Sequence, residues 1–319
     1  MQKRWKRQLA RRFPRIAASI RNFFRRLGGK PLVSASGELL IPRGRLELPA
    51  QMRADPPLTR EFLAGLELCV LDDPVVSIVI VSYERPDFVE NLIKSIWLHS
   101  DGFRYEVIVV ENGSAPGKHE LSPEIAMRVH VIALADRTYL GEAYNIGARQ
   151  AKGRYLVLLN NDVVVRPRWL SALIGEFERD AAIGAAGPKL LFPTGELQEA
   201  GAFIDRAGYP IRRGRGKNAG EPAFNRKEEV DYCSGAALAM RRELFLQLSG
   251  YEQHWDLCFK VRALGHKVVY VPSSEVVHLE NATMAESPPA PDMTVVIEAN
   301  RKRFVRTWKD ALDRPRSRA

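Results

Sequence analysis

Three clusters of acidic and amide side chains come directly after three apolar segments of the chain, each long enough for a buried strand. The clusters are Ser82-Tyr83-Glu84, Glu111-Asn112-Gly113-Ser114 and Asn160-Asn161-Asp162. In open α/β sheets, ligands bind beyond the carboxyl ends of the strands, so three polar clusters at three such ends should converge on one crevice. The spacing therefore predicts an enzyme with a site for a phosphate-bearing substrate.

Asp162 is the best placed of these side chains to bind a metal ion. It follows a wholly apolar segment, residues 155–159, which would hold it rigidly at the edge of the sheet. Magnesium and manganese favour carboxylate oxygens and bridge to substrate phosphates, where they neutralise the charge on a departing diphosphate. Residues 160–162 are also typical of a turn that caps the helix after Pro167. The residues alone leave both interpretations open.

The elements that must position these clusters alternate between strand and helix in the first half of the chain. Hydrophobic periodicity predicts strands over 75–81, 105–110, 128–134 and 154–159, and helices over 87–98, 142–151 and 168–179. This order predicts an α/β fold with a mostly parallel sheet. The second half predicts β segments over 184–192 and 196–204, a Gly- and Arg-rich loop over 208–220, a strand near 230–240, helices over 241–248 and 255–264, a strand over 267–271 and a basic helix over 293–311.

The positive charge of the protein is concentrated at one end of the chain. The formal net charge of the 319 residues is +10, but residues 1–30 hold eleven Lys and Arg and no Asp or Glu, so the remainder carries 10 − 11 = −1. A slightly acidic globular part does not indicate a groove for nucleic acid, and we expect no nucleic-acid partner. A protein that binds nucleic acid through the basic arm is the alternative, and it predicts steeply salt-dependent binding.

Residues 1–30 form a basic arm in which apolar side chains recur at near-helical spacing, although Pro14 should bend or break a helix there. Such an arm is typical of a helix that lies on an anionic membrane surface. No apolar stretch approaches the roughly 20 residues that span a bilayer, and the arm lacks the apolar region of a signal peptide. Three widely spaced cysteines suit a reducing compartment. We therefore expect a cytoplasmic protein, peripherally associated with the inner face of the cytoplasmic membrane.

Several motifs, in order, resemble those of the bacterial family 2 glycosyltransferases with the GT-A fold, in particular the rhamnosyltransferase-like branch. The similarity runs from about residue 75 to 282. The motifs are the first strand with Ser82-Tyr83 and Arg85-Pro86, Val109-Val110-Glu111-Asn112-Gly113-Ser114, Gly141-Glu142-Ala143-Tyr144-Asn145-Ile146-Gly147, Leu159-Asn160-Asn161-Asp162-Val163, Pro188-Lys189-Leu190-Leu191, Leu197-Gln198-Glu199-Ala200-Gly201, Ser234-Gly235-Ala236 and Asp256-Leu257-Cys258-Phe259-Lys260. The resemblance implies the basic arm 1–30, a connector 31–74, a GT-A domain 75–285 and a C-terminal helical tail 286–319.

The resemblance also implies transfer of a sugar from a nucleoside-diphosphate sugar to a hydroxyl of a glycan or lipid-linked acceptor, with Mg²⁺ or Mn²⁺. His278 matches a position where some relatives place a histidine near the metal or diphosphate, and a structural histidine is the alternative. Glu84 and Glu111 stand where the family usually has Asn and Asp, and the longer carboxylate of Glu111 could alter the contact with base or ribose and hence donor preference. The implied donor-binding residues are Ser82, Tyr83, Glu84, Glu111, Asn112, Gly141, Asn145 and Asn161, those on the acceptor side are Ser234 and Gly235, and those at the metal are Asp162 and His278.

The segment that supplies the general base in relatives is shortened here, over residues 250–258. Inverting transfer needs a carboxylate or imidazole that deprotonates the acceptor hydroxyl, and its loss should remove a factor of about 10²–10⁴ in rate. Glu252, His254 or Asp256 could take that role. A catalytically impaired member that binds nucleotide-sugar as a partner subunit is the alternative.

Two further patterns bear on function. A nucleotide-dependent dehydrogenase is disfavoured because no Gly-x-Gly-x-x-Gly follows the first strand. The cations Arg212, Arg213, Arg215 and Lys217 could steer an anionic acceptor or phosphate, although such a run is more often a solvated, mobile loop.

Overall fold

The computed structural model describes residues 47–54, 56, 59, 73–100, 102–118, 120–252, 256–280 and 293–313, with the backbone alone for 293–297. Apart from Glu47, all of these belong to one compact unit formed by residues 48–280 and 289–319. The basic arm, most of the connector and His254 lie outside the described residues.

Twelve strands are described. They are β1 (Val76–Ser82), β2 (Tyr105–Asn112), β3 (His130–Leu134), β4 (Tyr155–Asn160), β5 (Val163–Val165), β6 (Ile183–Leu191), β7 (Leu197–Glu199), β8 (Ala202–Ile204), β9 (Pro210–Arg212), β10 (Glu228–Glu229), β11 (Ala237–Arg241) and β12 (Lys267–His278). The helices are α1 (Pro86–His99), α2 (Pro123–Ala126), α3 (Leu140–Gln150), α4 (Trp169–Arg179), α5 (Arg242–Gln247), α6 (Asp256–Ala263), α7 (Met293–Thr307) and α8 (Lys309–Asp313).

The central sheet has the strand order β10-β12-β6-β11-β4-β1-β2-β3, with β5 paired to β12 and β7 paired to β6. Strands β3, β2, β1 and β4 are parallel neighbours, and β12 is parallel to β6. Strand β11 runs antiparallel between β4 and β6. The predicted α/β fold with a mostly parallel sheet is confirmed.

The core forms because the central strands consist mostly of apolar residues. All seven residues of β1 are buried, as expected for a strand that is covered on both faces. Trp97 of α1 and Trp169 of α4 are buried in the same core. This packing fixes the strand ends, and therefore the polar clusters that follow them.

The predicted elements of the first half agree with the structure to within about two residues, which is the usual uncertainty of helix and strand ends. In the second half, the predicted strand 196–204 is two short strands, and the strand predicted over 267–271 continues to His278. The longer strand matters because it carries His278 into the sheet. No helix among the described residues is long and apolar enough to span a bilayer.

Candidate functional site

Three strand ends meet at one edge of the sheet. In the parallel register, Ser82 at the end of β1 lies opposite Glu111 at the end of β2, and Val81 lies opposite Asn160 at the end of β4. The three polar clusters are therefore adjacent in space. This is the arrangement that the sequence predicted for a single crevice.

A short hydrogen-bonded path links the ends of β1 and β2. The hydroxyl of Ser114 donates to Oε2 of Glu111 (2.7 Å) and accepts the backbone N–H of Glu84 (2.9 Å). Glu84 has a φ of 52°, so the chain turns sharply after β1. Ser82 is 1% exposed, and its Oγ has no hydrogen-bond partner within the described part of the chain. A buried hydroxyl in this state indicates a polar ligand at the strand end.

Asn112 and Tyr83 organise the neighbouring loop. Oδ1 of Asn112 accepts the backbone N–H and the hydroxyl of Thr138 (2.8 and 2.9 Å), and its Nδ2 donates to the carbonyl of Thr138 (3.0 Å). The guanidinium of Arg137 lies 3.9 Å from the centre of the Tyr83 ring. The amide of Asn112 thus positions a loop of the crevice, while Tyr83 and Arg137 form a stacked pair beside it.

The start of α3 is joined to the segment after α5. Oδ1 of Asn145 accepts the backbone N–H of Tyr251 (2.8 Å), and Nδ2 donates to the carbonyl of Tyr251 (3.0 Å). Gly141 is needed at this contact, because a Cβ there would lie 2.8 Å from the Tyr139 ring and 2.9 Å from Cβ of Tyr251. Asn145 and Gly141 therefore allow two chain segments to approach closely.

This close approach forms a small aromatic cleft. Its lining residues are Tyr139, Leu140, Gly141, Tyr144, Gly235 and Tyr251. The cleft brings Gly141, predicted on the donor side, to Gly235, predicted on the acceptor side. The hydroxyl of Tyr144 donates to Oδ1 of Asn160 (3.0 Å), and burial followed by the charge of Asp162 raises the pKa of Tyr144, which keeps the phenol neutral. The cleft is therefore connected to the strand end that carries Asp162.

Asp162 and His278 meet because β5 pairs with the end of β12. His278 lies opposite Val163 in this antiparallel pair. Oδ1 of Asp162 is 3.2 Å from Nε2 of His278, and both side chains are buried. Burial lowers the pKa of His278, but the carboxylate of Asp162 outweighs this effect, and the pKa is raised above its usual value.

Gln198, a residue without an assigned role in the sequence motif, fixes the imidazole from the other side. Its Oε1 lies 2.8 Å from Nδ1 of His278, and its Nε2 donates to the backbone carbonyl of His278 (3.3 Å). Because an amide oxygen only accepts, Nδ1 carries a proton, and Nε2 is turned towards Asp162.

The Asp162–His278 pair fits a divalent cation. Nε2 of His278 is buried and makes no aligned hydrogen bond among the described residues, although a carboxylate oxygen lies 3.2 Å away. One imidazole nitrogen and one carboxylate oxygen suit Mn²⁺, whose remaining positions diphosphate oxygens and water would fill. The described residues contain no cluster of three or more His, Cys, Asp or Glu in a metal-binding arrangement. Within the described part of the chain, Asp162 and His278 would be the two ligands.

Asn161 and Asp162 form a turn between β4 and β5, as the turn interpretation predicted, but they do not cap the helix after Pro167. Helix α4 begins after Arg168, which has a left-handed conformation, and no described side chain caps it. Asp162 instead leads directly into β5.

The candidate bases of the shortened segment have different surroundings. Asp256 is buried at the start of α6, where its Oδ1 accepts the indole N–H of Trp308 (2.7 Å) and its Oδ2 pairs with Lys260 (3.1 Å). Glu252 follows Tyr251 of the cleft, is half-exposed and lies 3.4 Å from Lys260. His254 lies outside the described residues. The carboxylate of Asp256 thus anchors the C-terminal segment, whereas that of Glu252 remains accessible.

Ser234 and the basic loop adjoin a buried glutamate that the sequence reasoning did not single out. The backbone N–H of Ser234 donates to Glu199, and Nε of Arg212 lies 3.4 Å from Oε2 of Glu199. Burial raises the pKa of Glu199, and Arg212 and Ser234 partly offset that effect. The signal for Gln198 and Glu199 was present in the motif of residues 197–201, but their partners are remote in sequence.

A family model described as "Glycosyl transferase family 2" matches residues 77–248, which is more than half of the chain. The chain is 30% identical over 225 residues to the O-antigen biosynthesis protein RfbC of Myxococcus xanthus, and the match covers 66% of this chain but 18% of that protein. It is 24% identical over 233 residues to the N-acetylglucosaminyl-diphospho-decaprenol L-rhamnosyltransferase of Mycobacterium tuberculosis, covering 64% of this chain and 76% of the relative. The chain thus spans only a small part of the Myxococcus protein.

Among solved structures, the chain is similar to the crystal structure of GalNAc-T7 with UDP, GalNAc and Mn²⁺. The TM-score is 0.60 and the sequence identity 20%, and the similarity covers 74% of this chain and 48% of the other. At this identity the similarity concerns the fold alone.

Proposed function

Because the chain belongs to glycosyl transferase family 2, we propose that it transfers a sugar from a nucleoside-diphosphate sugar to a hydroxyl of a cell-surface polysaccharide or a lipid-linked glycan. Its fold is the GT-A fold, as the sequence resemblance predicted, and the chain is a glycosyltransferase. The donor class, the metal and the acceptor are proposals. The observation that carries them is the buried Asp162–His278 pair at the edge where three polar strand ends meet.

The crevice is proposed to bind the donor in two parts. Ser82, Tyr83, Glu84, Glu111 and Asn112 surround the ends of β1 and β2 and would receive the base and ribose. The unpartnered buried hydroxyl of Ser82 supports this assignment.

The diphosphate would lie at the edge formed by β4, β5 and β12. Asp162 and His278 would hold Mn²⁺ or Mg²⁺ there, with Asn161 beside them. When bound, the metal would neutralise the negative charge that develops on the departing diphosphate. The bound UDP and Mn²⁺ of GalNAc-T7 agree with this proposal, since that protein shares the fold.

The aromatic cleft is proposed to receive the transferred sugar and the acceptor hydroxyl. It joins Gly141 to Gly235, next to Ser234, and Asn145 holds its Tyr251 wall. In an inverting transfer, a base must remove the hydroxyl proton as the acceptor oxygen attacks the anomeric carbon. Glu252 is our first candidate because it follows Tyr251 and is accessible, with His254 the second. Asp256 is the third, because Trp308 and Lys260 already bind its carboxylate.

The acceptor is proposed to reach the site at a membrane surface. A lipid-linked sugar is the substrate named for the Mycobacterium tuberculosis relative. The eleven cations of the basic arm would bind anionic lipids on the inner face of the cytoplasmic membrane. The proposal thus places catalysis close to a lipid-linked substrate.

The proposal is tested by release of nucleoside diphosphate from UDP-, GDP- and dTDP-sugars in the presence of bacterial membrane extract. We expect release that requires Mn²⁺ or Mg²⁺, stops on chelation and returns when metal is restored. Asp162→Asn should lower kcat/KM by about 10²-fold or more, because a lost metal ligand removes several kcal/mol of charge stabilisation. Asp180→Asn is the matched control, since Asp180 pairs with Lys267 on the exposed surface.

A second variant in the same assay addresses the base. Glu252→Gln should bind donor normally and lose transfer by about 10²–10⁴-fold. Donor binding by the wild type without release from any donor or extract would contradict the proposed activity.

A further inference from the structure

Two arginines and two glutamates form a charge cluster beside the Asp162–His278 edge. We call Arg212, Arg215, Glu199 and Glu280 the arginine cluster. Glu280 accepts from both arginines, with Nη1 of Arg212 at 3.1 Å from Oε1 and Nη2 of Arg215 at 2.6 Å from Oε2. Arg212 also pairs with Glu199 (3.4 Å). The family motifs give this cluster no role.

The cluster is connected by short chain segments to the residues of the proposed metal site. Glu280 comes two residues after His278, and the intervening Leu279 donates its backbone N–H to the carbonyl of Asp162 (3.0 Å). Glu199 directly follows Gln198, whose side chain holds the His278 ring. The charges of Glu280 and Arg212 both act on His278. The two arginines, paired with Glu199 and Glu280, therefore lie close to the proposed diphosphate edge.

The loop that carries Arg215 is held firmly against β7. Leu197 exchanges two backbone hydrogen bonds with it, accepting the N–H of Gly216 (2.7 Å) and donating to the carbonyl of Lys217 (2.9 Å). Gly214 has a φ of +70°, and a Cβ there would lie 2.8 Å from the Phe224 ring. These contacts hold the loop in place. It is therefore not the solvated, mobile loop that a run of cations in a sequence usually forms.

Arg215 is the member of the cluster with unused binding capacity. Its guanidinium lies 4.9 Å from the centre of the Phe192 ring, and Nη2 is bonded to Glu280. Its Nη1 is buried and has no hydrogen-bond partner among the residues that the structure describes. A buried charged N–H group without an acceptor is destabilising, so this geometry indicates an oxygen ligand that is bound during function.

We propose that Arg215 binds a diphosphate oxygen through Nη1, with Glu280 and Phe192 holding its guanidinium in position. Arginine matches phosphate oxygens in both charge and geometry, and its bonds to them are stronger than neutral ones. The inference rests on the proposed function, which brings a diphosphate to this edge. That diphosphate belongs either to the nucleotide donor or to a lipid diphosphate acceptor, since the recognising chemistry is the same.

Calorimetric titration of the full chain in Mn²⁺ tests the inference. The probes for the donor are UDP, GDP and dTDP with the matching nucleosides, and those for the lipid are farnesyl diphosphate and farnesol. We expect Arg215→Gln to weaken diphosphate binding by about tenfold or more, as for one lost charge-assisted hydrogen bond, and to leave the probes without phosphate unchanged. Arg215→Lys retains the charge and should recover part of the affinity. Lys152→Gln, at an exposed cation between α3 and β4, should bind like the wild type.

Comparison of the nucleotide probes with the farnesyl probes identifies which diphosphate Arg215 binds. A loss confined to nucleoside diphosphates assigns Arg215 to the donor, and a loss confined to farnesyl diphosphate assigns it to the acceptor. If Arg215→Gln binds both kinds of diphosphate as tightly as the wild type, the inference is overturned. It is also overturned if the affinity for the nucleosides falls as much as that for the diphosphates, because Arg215 would then have a purely structural role. If the wild type binds none of the nucleoside diphosphates, the donor assignment of the proposed function fails instead.

Discussion

The imidazole of His278 is oriented by a single neighbour, Gln198, which uses both ends of its amide. Oε1 faces Nδ1 at 2.8 Å and Nε2 donates to the backbone carbonyl of the same histidine. Partners of this kind fix the tautomer and the direction of a metal-ligating ring. At the residue scale, Gln198 therefore decides whether His278 offers Nε2 to a cation beside Asp162.

Gln198→Leu keeps the approximate size of the side chain and removes both hydrogen bonds. We expect the affinity for Mn²⁺, measured by calorimetry in the presence of nucleoside diphosphate, to fall by about 10–100-fold. Gln247→Ala at the exposed end of α5 is the control. An unchanged Mn²⁺ affinity in a folded Gln198→Leu protein would remove Gln198 from the metal site.

At the scale of the elements, aromatic contacts and one hydrogen bond attach the C-terminal helices to α6. The ring of Phe259 on α6 lies 4.8 Å from that of Phe304 on α7 and 5.6 Å from that of Trp308. Asp256 at the start of α6 accepts the indole N–H of Trp308. Asp256 therefore belongs to a joint between α6 and the C-terminal segment.

Trp308→Phe tests this joint, because it keeps an aromatic ring and removes the N–H donor. The buried carboxylate of Asp256 loses one partner, so the free energy of unfolding should fall by about 1–3 kcal/mol. Nucleoside diphosphate binding should stay as in the wild type. Chemical denaturation followed by circular dichroism measures the free energy of unfolding, and calorimetry measures nucleoside diphosphate binding. An unchanged stability would show that the hydrogen bond contributes nothing, and would return Asp256 to the candidate bases on equal terms.

At the scale of the whole molecule, charge is divided between the basic arm and the remainder, +11 against −1. A chain of this kind should bind anionic surfaces through the arm and repel them weakly elsewhere. The proposed membrane contact depends on this division of charge.

The triple substitution of Arg21, Arg25 and Arg26 by Glu tests the arm without shortening the chain. Each cation near an anionic membrane contributes about 1 kcal/mol, so binding to phosphatidylserine vesicles should fall by about 100-fold or more. Co-sedimentation measures this vesicle binding, and phosphatidylcholine vesicles serve as the comparison. The matched control replaces three exposed cations of the globular part, Lys152, Lys217 and Arg226, by Glu. Equal losses in both triple variants would mean that the arm has no special role.

Sequence alone was sufficient for the first half of the fold and for the position of the crevice. The strands before Ser82, Glu111 and Asn160 are continuous apolar segments, and the polar residues that end them are adjacent in sequence. Both signals are local, because a strand buried on both faces must be apolar throughout and must end where polar groups reach solvent.

Only the tertiary structure decided which side chains act together. His278 and Gln198 are 80 residues apart, Arg215 and Glu280 are 65 apart, and Asp256 and Trp308 are 52 apart. The first two pairs form around the end of β12, which lies between β6 and β10, pairs with β5 and extends as far as His278. No local pattern encodes such neighbours, since the order of strands in a sheet is set by the packing of the whole chain. The sequence thus determined the types of residue at the site, and the sheet topology determined their partners.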